Sequence, residues 1–444
     1  MKQQTNFFKS VCHIAIPVAL QSMLQSSFSI IDQIMIGQLG STCVAGVGLA
    51  GKFSWIFSVI VAAIGTVAGI MIAQYVGQQN QQEIRHSFFI NLTLAAFFAL
   101  IFTIVCTCLP QTIMQLYTND TTTLIASIEY LQTIAWTFLP LTGITLISTL
   151  LRCLEEAHFP LYASISAALL NTGLNYVFIF GKMGFPMLGI KGAAIATVIS
   201  QFANLLVLLL LLSKHLTLLQ KKNLVVSSSS FNKGEYLKIL LPLLICEFMW
   251  SLGENVYAAI YAHIGTASSA AMILMNPIQG LLIGALSGLA QAAGIIVGKR
   301  LGSQQFEDAY ISSKKLLLYG LLSSFVLSFI VISTRMYYVE IYQVEDTVKA
   351  LTAQLLISFA IIAPFKVLNM ILGGGILRSG GKTNYSMCID LIGTWLVGVP
   401  VGLMCAFVLH LPVTYVYFFL SLEECVRFII SLIVFRQKKW MQSL

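Results

Sequence analysis

Charge is scarce in this sequence. Asp, Glu, Lys and Arg make up 9% of its 444 residues, whereas a soluble domain carries about a quarter. No long polar stretch exists to coat the roughly two to four soluble domains that such a length would fill. That excludes a soluble enzyme, a secreted disulfide scaffold and a nucleic-acid binder. Catalytic signatures are missing as well: the chain has no GxSxG, HExxH or P-loop sequence, so no nucleophile elbow, zinc helix or nucleotide cradle is expected. The nine cysteines form no CxxC pair and no Cys/His cluster with metal spacing, which leaves neither a zinc site nor a redox motif. The chain reads as a non-enzyme without a cofactor. The start, MKQQTNFFKSVCHIAIPVAL, resembles a signal peptide, but its apolar region runs on to Gly37 with no A-x-A-like site. It is expected to be a first membrane span.

What the chain has instead is apolar sequence, 57% of residues, with a mean hydropathy of +0.86. A bilayer core about 30 Å thick needs roughly 20 apolar residues of helix. On that criterion the spans fall near 13–37, 48–74, 88–110, 125–151, 160–181, 190–213, 239–263, 273–297, 315–334, 350–377, 384–409 and 412–435. The expected fold is an all-α membrane protein of twelve transmembrane helices. The polar break at 214–238 has the composition of a linker, which divides the chain into an N-lobe (1–213, spans 1–6) and a C-lobe (239–444, spans 7–12).

The two halves repeat. Pro17 matches Pro242, Gly40 matches Gly265, Gly69 matches Gly294, Gly77 matches Gly302 and Gln79 matches Gln304, every pair separated by 225 positions (242 − 17). An even number of spans per half gives both halves one orientation, a parallel repeat about the membrane normal. Cations set the direction. Segments on the side of the termini hold Lys9, Arg85, Arg152, Lys221, Lys222, Lys299, Arg300, Arg378, Lys438 and others. The opposite loops hold Lys182, Lys191, Arg335 and Lys349. By the positive-inside rule both termini lie in the cytoplasm of a multi-pass cell-membrane protein.

Few ionisable residues remain at depth, and each is a functional candidate because an Asp at mid-bilayer costs about 2.5–3.5 kcal/mol. Asp32 lies five residues before the outer end of span 1, roughly 7–8 Å deep at 1.5 Å per residue. Span 5 carries Asn171 and Asn175 with i, i+4 spacing, on one helix face. Asn175 and Thr197 of span 6 fall in nearly the same layer as Asp32, with Asn171 one turn deeper. A carboxylate, two amides and a hydroxyl are hard oxygen donors for a proton-controlled network or a small cation such as Na⁺; Asn and Thr also serve as plain interhelical glue. In the second half, Glu247 and Glu254 share a face of span 7, and Asp390 lies about two turns into span 11. Anionic groups at several depths suit a cationic substrate. Lys366, two residues after Pro364, is expected to pair with one of these acids, and Glu423 with Arg427. Pro140 and Pro364 are candidate kinks.

The stretches DQIMIGQLGSTCVAGVGLA from Asp32, AQYVGQQNQQEIRHS at 73–87, LRCLEEAHFP at 151–160, LLNTGLNYVFIFG at 169–181 and GAAIATVISQ at 192–201 occur in this order. With EFMWSLGENVYAAIYAHIGT at 247–266 and ILRSGGKTNYSM at 376–387, they make the sequence resemble the multidrug and toxic compound extrusion (MATE) family over essentially its whole length. The resemblance implies a monomeric efflux antiporter with two six-helix lobes and alternating access, exporting organic cations or drugs as H⁺ or Na⁺ enters. It assigns the coupling cation to Asp32 with Asn171, Asn175 and Thr197 as partners, and leaves Glu247, Glu254 and Asp390 to the substrate side of the C-lobe. Some members have Asp where this chain has Asn175, and one fewer carboxylate weakens a Na⁺ site relative to proton coupling. A related branch flips lipid-linked saccharides; its cleft would carry more basic groups, whereas acids dominate here.

Overall fold

The computed structural model describes residues 2–215, 233–342 and 344–444, and among them every regular element is helical. Eleven helices are long and apolar enough to cross a membrane. In the first half these are α1 (Lys2–Gly37), α2 (Ser41–Gly77), α3 (Gln81–Cys108), α4 (Thr121–Cys153), α5 (His158–Phe180) and α6 (Gly189–His215). In the second half they are α7 (Lys233–Ile264), α8 (Thr266–Gly302), α9 (Phe306–Glu340), α10 (Asp346–Gly380) and α11 (Thr383–Val408). The twelfth expected span, α12, is two helices, Val413–Ser421 and Glu423–Arg436, that meet at Leu422. Most helices outrun their apolar stretches because hydropathy marks only the bilayer core, while backbone hydrogen bonding carries the helix beyond it.

Besides the break in α12, three spans change helix type, and proline or glycine accounts for each. In α4 a 3₁₀ turn at Ala135–Thr137 precedes Pro140; the proline ring clashes with the carbonyl four residues back, that of Trp136, and loosens this turn. The regular part of α10 runs through Pro364 to Asn369 and then widens into a π-helix at Met370–Ile376, across Gly373, Gly374 and Gly375. In α11 a π-helix at Ile392–Gly398 lies just before Pro400, which cannot donate a regular i→i−4 bond.

The chain divides into two compact units. One gathers the described residues of Met23–Ile72 and Asn80–Phe231; the other gathers those of Met1–Ser22, Ala73–Gln79 and Asn232–Leu444. Packing therefore assigns the start of α1 and the end of α2 to the unit built from the second half. Residues 216–232 of the expected linker lie outside the described residues, and Lys233–Lys238 already belong to α7.

The first-half unit has an aromatic and aliphatic core around Phe57, Phe138, Leu131 and Ile134, with the Phe57 and Phe138 rings 4.5 Å apart. A smaller cluster of Ile36, Ile179 and Ala193 binds the ends of α1, α5 and α6 together. Gly181 closes α5 at φ +64°, its N–H bonded to the Val177 carbonyl; this left-handed cap favours glycine. In the other unit, small residues on α8 permit backbone contact. A Cβ on Gly288 would strike the Ala15 carbonyl, and one on Gly375 would lie 2.5 Å from the Ala290 carbonyl.

Candidate functional site

The Ile36–Ile179–Ala193 contact fixes where the polar residues one turn away must meet. Asp32 lies one helical turn before Ile36, Asn175 one turn before Ile179, and Thr197 one turn after Ala193. The structure brings all four first-half candidates together inside one unit. Asn175 Nδ2 donates to Asp32 Oδ1 at 2.7 Å and to Asn171 Oδ1 at 3.2 Å. Asn171 Nδ2 donates to Thr197 Oγ1 at 3.3 Å, and the Thr197 hydroxyl donates to the Ala193 carbonyl at 3.0 Å. Asn175 is 1% exposed and its Oδ1 has no hydrogen-bond partner, an open acceptor beside a carboxylate.

The Asn171 amide has two readings with different chemistry. In the orientation just described, its carbonyl oxygen occupies the position nearest the Asp32 carboxylate. Turned over, its nitrogen lies 2.9 Å from Asp32 Oδ1 and 3.2 Å from Oδ2, where it donates to both. Two oxygen acceptors at such distances repel unless a proton or cation lies between them, whereas an N–H facing a bare carboxylate is attractive. The turned-over orientation is therefore the one that fits a charged Asp32. Tyr130 of α4, half-buried, lies within electrostatic reach of Asp32. Sequence reasoning missed it, since one tyrosine in an aromatic-rich span carries no distinguishing signal.

The second-half acids meet partners that spacing did not reveal. Arg378, near the end of α10, reaches Glu247 Oε1 at 3.0 Å and Asp390 Oδ2 at 3.6 Å. Arg427 of α12 reaches Asp390 Oδ1 at 3.7 Å and Glu423 Oε1 at 3.4 Å. The buried thiol of Cys246 donates to Asp390 Oδ2 at 2.8 Å, and Tyr257 Oη donates to Glu423 Oε2 at 2.5 Å. Glu424 is held by Asn369 Nδ2 at 2.8 Å. Glu247 and Asp390 thus face guanidinium groups, so their charge is compensated within the protein. Glu254 stands apart: it is exposed and makes no hydrogen bond or ion pair among the described residues. It lies within electrostatic reach of Lys366, which also senses Glu424 and Glu423.

Local backbone geometry builds this cluster. The π segment of α11 lays Thr394 against Arg427, whose Nη2 donates to the threonine hydroxyl. Gly393 is needed because a Cβ there would overlap the Arg427 side chain. At Gly398 a Cβ would overlap Tyr257 Oη and the Glu423 carboxylate. Arg378 could have been found in the sequence: it repeats Arg152 in a matched Leu-Arg pair 226 positions apart (378 − 152), which a loop cation has no reason to do.

A sequence model of the MatE family matches residues 17–177 and 242–404, one block in each half. A relative in Thermotoga maritima, a probable multidrug resistance protein NorM, is 24% identical over 433 residues, covering 97% of this chain and 93% of its own length. A Bacillus subtilis relative, the uncharacterized transporter YisQ, is 23% identical over 438 residues, with 96% and 94% covered. Among solved structures, a MATE protein in complex with MaL6 superposes with a TM-score of 0.88 at 17% identity, covering 97% of this chain and 95% of that one. A MOP-superfamily transporter from Pyrococcus furiosus, described as having a binding pocket of reverse polarity, gives the same TM-score, identity and coverage. At such identities the two structures establish the fold alone.

Proposed function

The chain belongs to the MatE family, and from that premise we propose that it is a secondary antiporter, moving small organic cations out across the cell membrane in exchange for inward H⁺ or Na⁺. Both termini lie in the cytoplasm, and a single chain suffices for transport. The observation that carries the reading is the Asp32 carboxylate between α1, α5 and α6, bonded to Asn175 and flanked by Asn171. Relatives named as multidrug resistance proteins support the direction and the substrate class.

Proton coupling fits this donor set better than Na⁺ does, because one carboxylate, two amides and a hydroxyl supply a single negative charge. In the charged state the Asn175 amide, and the Asn171 amide in its turned-over orientation, hold Asp32. A proton on Asp32 removes the buried charge and gives the cluster an O–H donor beside the unfilled Asn175 amide oxygen. It also releases the charge-assisted bonds that tie α1 to α5, which together strengthen or weaken as one unit. Substrate leaves outward from this protonated form, and the inward-open form returns the proton to the cytoplasm. Each pH unit supplies about 1.36 kcal/mol per proton, and 100 mV about 2.3 kcal/mol per net charge moved. A hundredfold gradient of a monovalent cation stores about 2.8 kcal/mol, which about two pH units supply in a one-for-one exchange; the potential adds to this only when more than one charge enters per cation. On the substrate side, Glu254 offers a carboxylate with no hydrogen bond or ion pair among the described residues, while Glu247 and Asp390 act through Arg378 to set the surface it stands on.

The test is ethidium uptake into everted vesicles under an imposed pH gradient or an imposed Na⁺ gradient, wild type beside Asp32→Asn. The expected result is uphill uptake driven by the pH gradient and lost in Asp32→Asn. Full activity in that variant would remove Asp32 from the coupling step. Failure of both gradients with a panel of organic cations would overturn the antiporter reading.

A further inference from the structure

Residues 437–444 follow α12 and fold back onto the end of α2. Trp440 is fully buried and continues a stack begun by Tyr310 and Phe435: rings 4.8 Å apart at 19°, then 5.7 Å apart at 18°. Its indole N–H donates to the Phe435 carbonyl at 3.1 Å, and its own carbonyl packs on Gly380 so closely that no Cβ would fit there. Beyond this anchor the segment is held by two glutamines, Gln74 in the last turn of α2 and Gln78 just after it. Gln74 is fully buried; its Nε2 donates to the carbonyls of Ser379 at 2.7 Å and Gln442 at 3.2 Å, and its Oε1 accepts the Leu444 N–H at 2.7 Å. Gln78 Nε2 donates to the Leu444 carbonyl at 2.9 Å and to Ser443 Oγ at 3.3 Å.

Two further observations give this contact a purpose. α2 is one continuous helix, yet Ser41–Ile72 packs in the first-half unit and Ala73–Gly77 in the second-half unit. The end of α2 is thus fastened into a body different from the one that holds the rest of the helix. The fastening is also one-sided. The repeat puts Lys299 and Ser303 at the positions equivalent to Gln74 and Gln78, so the pair of amides that grips Gln442–Leu444 exists at the end of α2 and has no counterpart at the end of α8. Four of these five bonds go to Gln442, Ser443 and Leu444.

We infer that residues 437–444 are a strap: anchored by Trp440, they clasp Gln74 and Gln78 and so fasten the end of α2 in one state of the transporter, and unclasp in each turnover. The inference rests on the antiporter reading for its place in a cycle, and on the geometry above for the clasp itself. Unclasping breaks hydrogen bonds at Gln442–Leu444 and leaves the Trp440 stack in place.

The full-length chain is reconstituted in liposomes as Gln78→Cys/Ser443→Cys, with the labelling native cysteines replaced by Ser. Bridging the pair with a short, reducible dithiol reagent should lower gradient-driven ethidium uptake about tenfold or more, as for other conformational steps that gate turnover, and reduction should restore it. Unchanged uptake with the bridge fully formed would show a static anchor and overturn the strap. A reduced protein that moves no cation under any gradient fails the antiporter reading instead. In that case, or if the double variant does not fold, labelling of Ser443→Cys alone by a maleimide decides. A rate that, after division by that of a free cysteine thiol at the same pH, changes about threefold or more between pH 6 and pH 8, or on adding Na⁺, supports a clasp that opens with the state of the protein. A rate indifferent to both overturns it.

Discussion

Gly77 and Gly302 make the same contact from opposite sides: a Cβ on Gly77 would strike the Lys299 carbonyl, and a Cβ on Gly302 would strike the Gln74 carbonyl. Both pairs of equivalent positions, 77 with 302 and 74 with 299, differ by 225 (302 − 77). The two contacts are therefore one contact and its image under the internal repeat, and they hold the ends of α2 and α8 backbone to backbone. Alanine at either position must push the helices apart. Overpacking of this kind costs about 1–3 kcal/mol. Gly77→Ala and Gly302→Ala should lower the thermal midpoint in detergent by similar amounts. The double variant should lose less than the sum, since one separation relieves both clashes.

The first-half site was largely legible in the sequence because its geometry is local. An i, i+4 pair fixes Asn171 beside Asn175, and counting 1.5 Å per residue from the span ends places Asp32, Asn175 and Thr197 in one layer. The second-half cluster was legible only at Glu423 and Arg427, again an i, i+4 pair. Its other links join residues at no helical spacing, from Arg378 with Asp390, 12 positions apart (390 − 378), to Tyr257 with Glu423, 166 apart. They depend on π segments in α10 and α11 that shift the facing residues out of regular 3.6-residue register. Hydropathy located α10 and α11 but said nothing about that shift, and it passed over the break at Leu422 because both sides are apolar. Arg378 was read as a topology cation, since the positive-inside rule counts charge without asking what the side chain touches.

Replacing Asn175 with Asp tests the donor-count argument for the coupling ion. The new carboxylate would stand where an amide now lies 2.7 Å from Asp32, and two carboxylates so close cannot both stay charged without a proton or cation between them. Asn175→Asp should therefore bind Na⁺ better than wild type. In vesicles the ratio of Na⁺-driven to pH-driven ethidium uptake should rise by about tenfold. An unchanged ratio would mean that the oxygen donors of this cluster do not select the ion.

Asp120 offers a pH effect outside the membrane. It caps α4: its carboxylate accepts the Thr123 N–H and the Thr122 hydroxyl, each at 2.8 Å. These bonds favour the charged form and hold its pKa down at about 2. With the folded value below the ordinary carboxylate range near 3.9, the cap's contribution is complete above that range and is lost as pH falls through about 2. Amide exchange at Thr122–Leu124, corrected for intrinsic rates, should be constant from pH 7 to pH 5 and faster near pH 3. In Asp120→Ala it should be fast throughout.

Arg378 carries the largest expected energetic effect. It is the only cation bonded to Glu247 among the described residues, and its side chain is 13% exposed. Removing one partner from a buried ion pair leaves the other charge uncompensated, which typically costs about 3–5 kcal/mol; exposure of the Glu247 side chain to 26% puts this case at the lower end. Arg378→Ala should unfold at a markedly lower temperature than wild type. Arg378→Ala/Glu247→Gln should recover part of the loss, because the second change removes the stranded charge, with Asp390 still held by Arg427 and Cys246. A structural pair predicts this recovery in stability together with recovery of transport. If Glu247 instead meets the substrate itself, stability will return in the double variant while ethidium transport stays lost, and the thermal and transport measurements on one preparation separate the two roles.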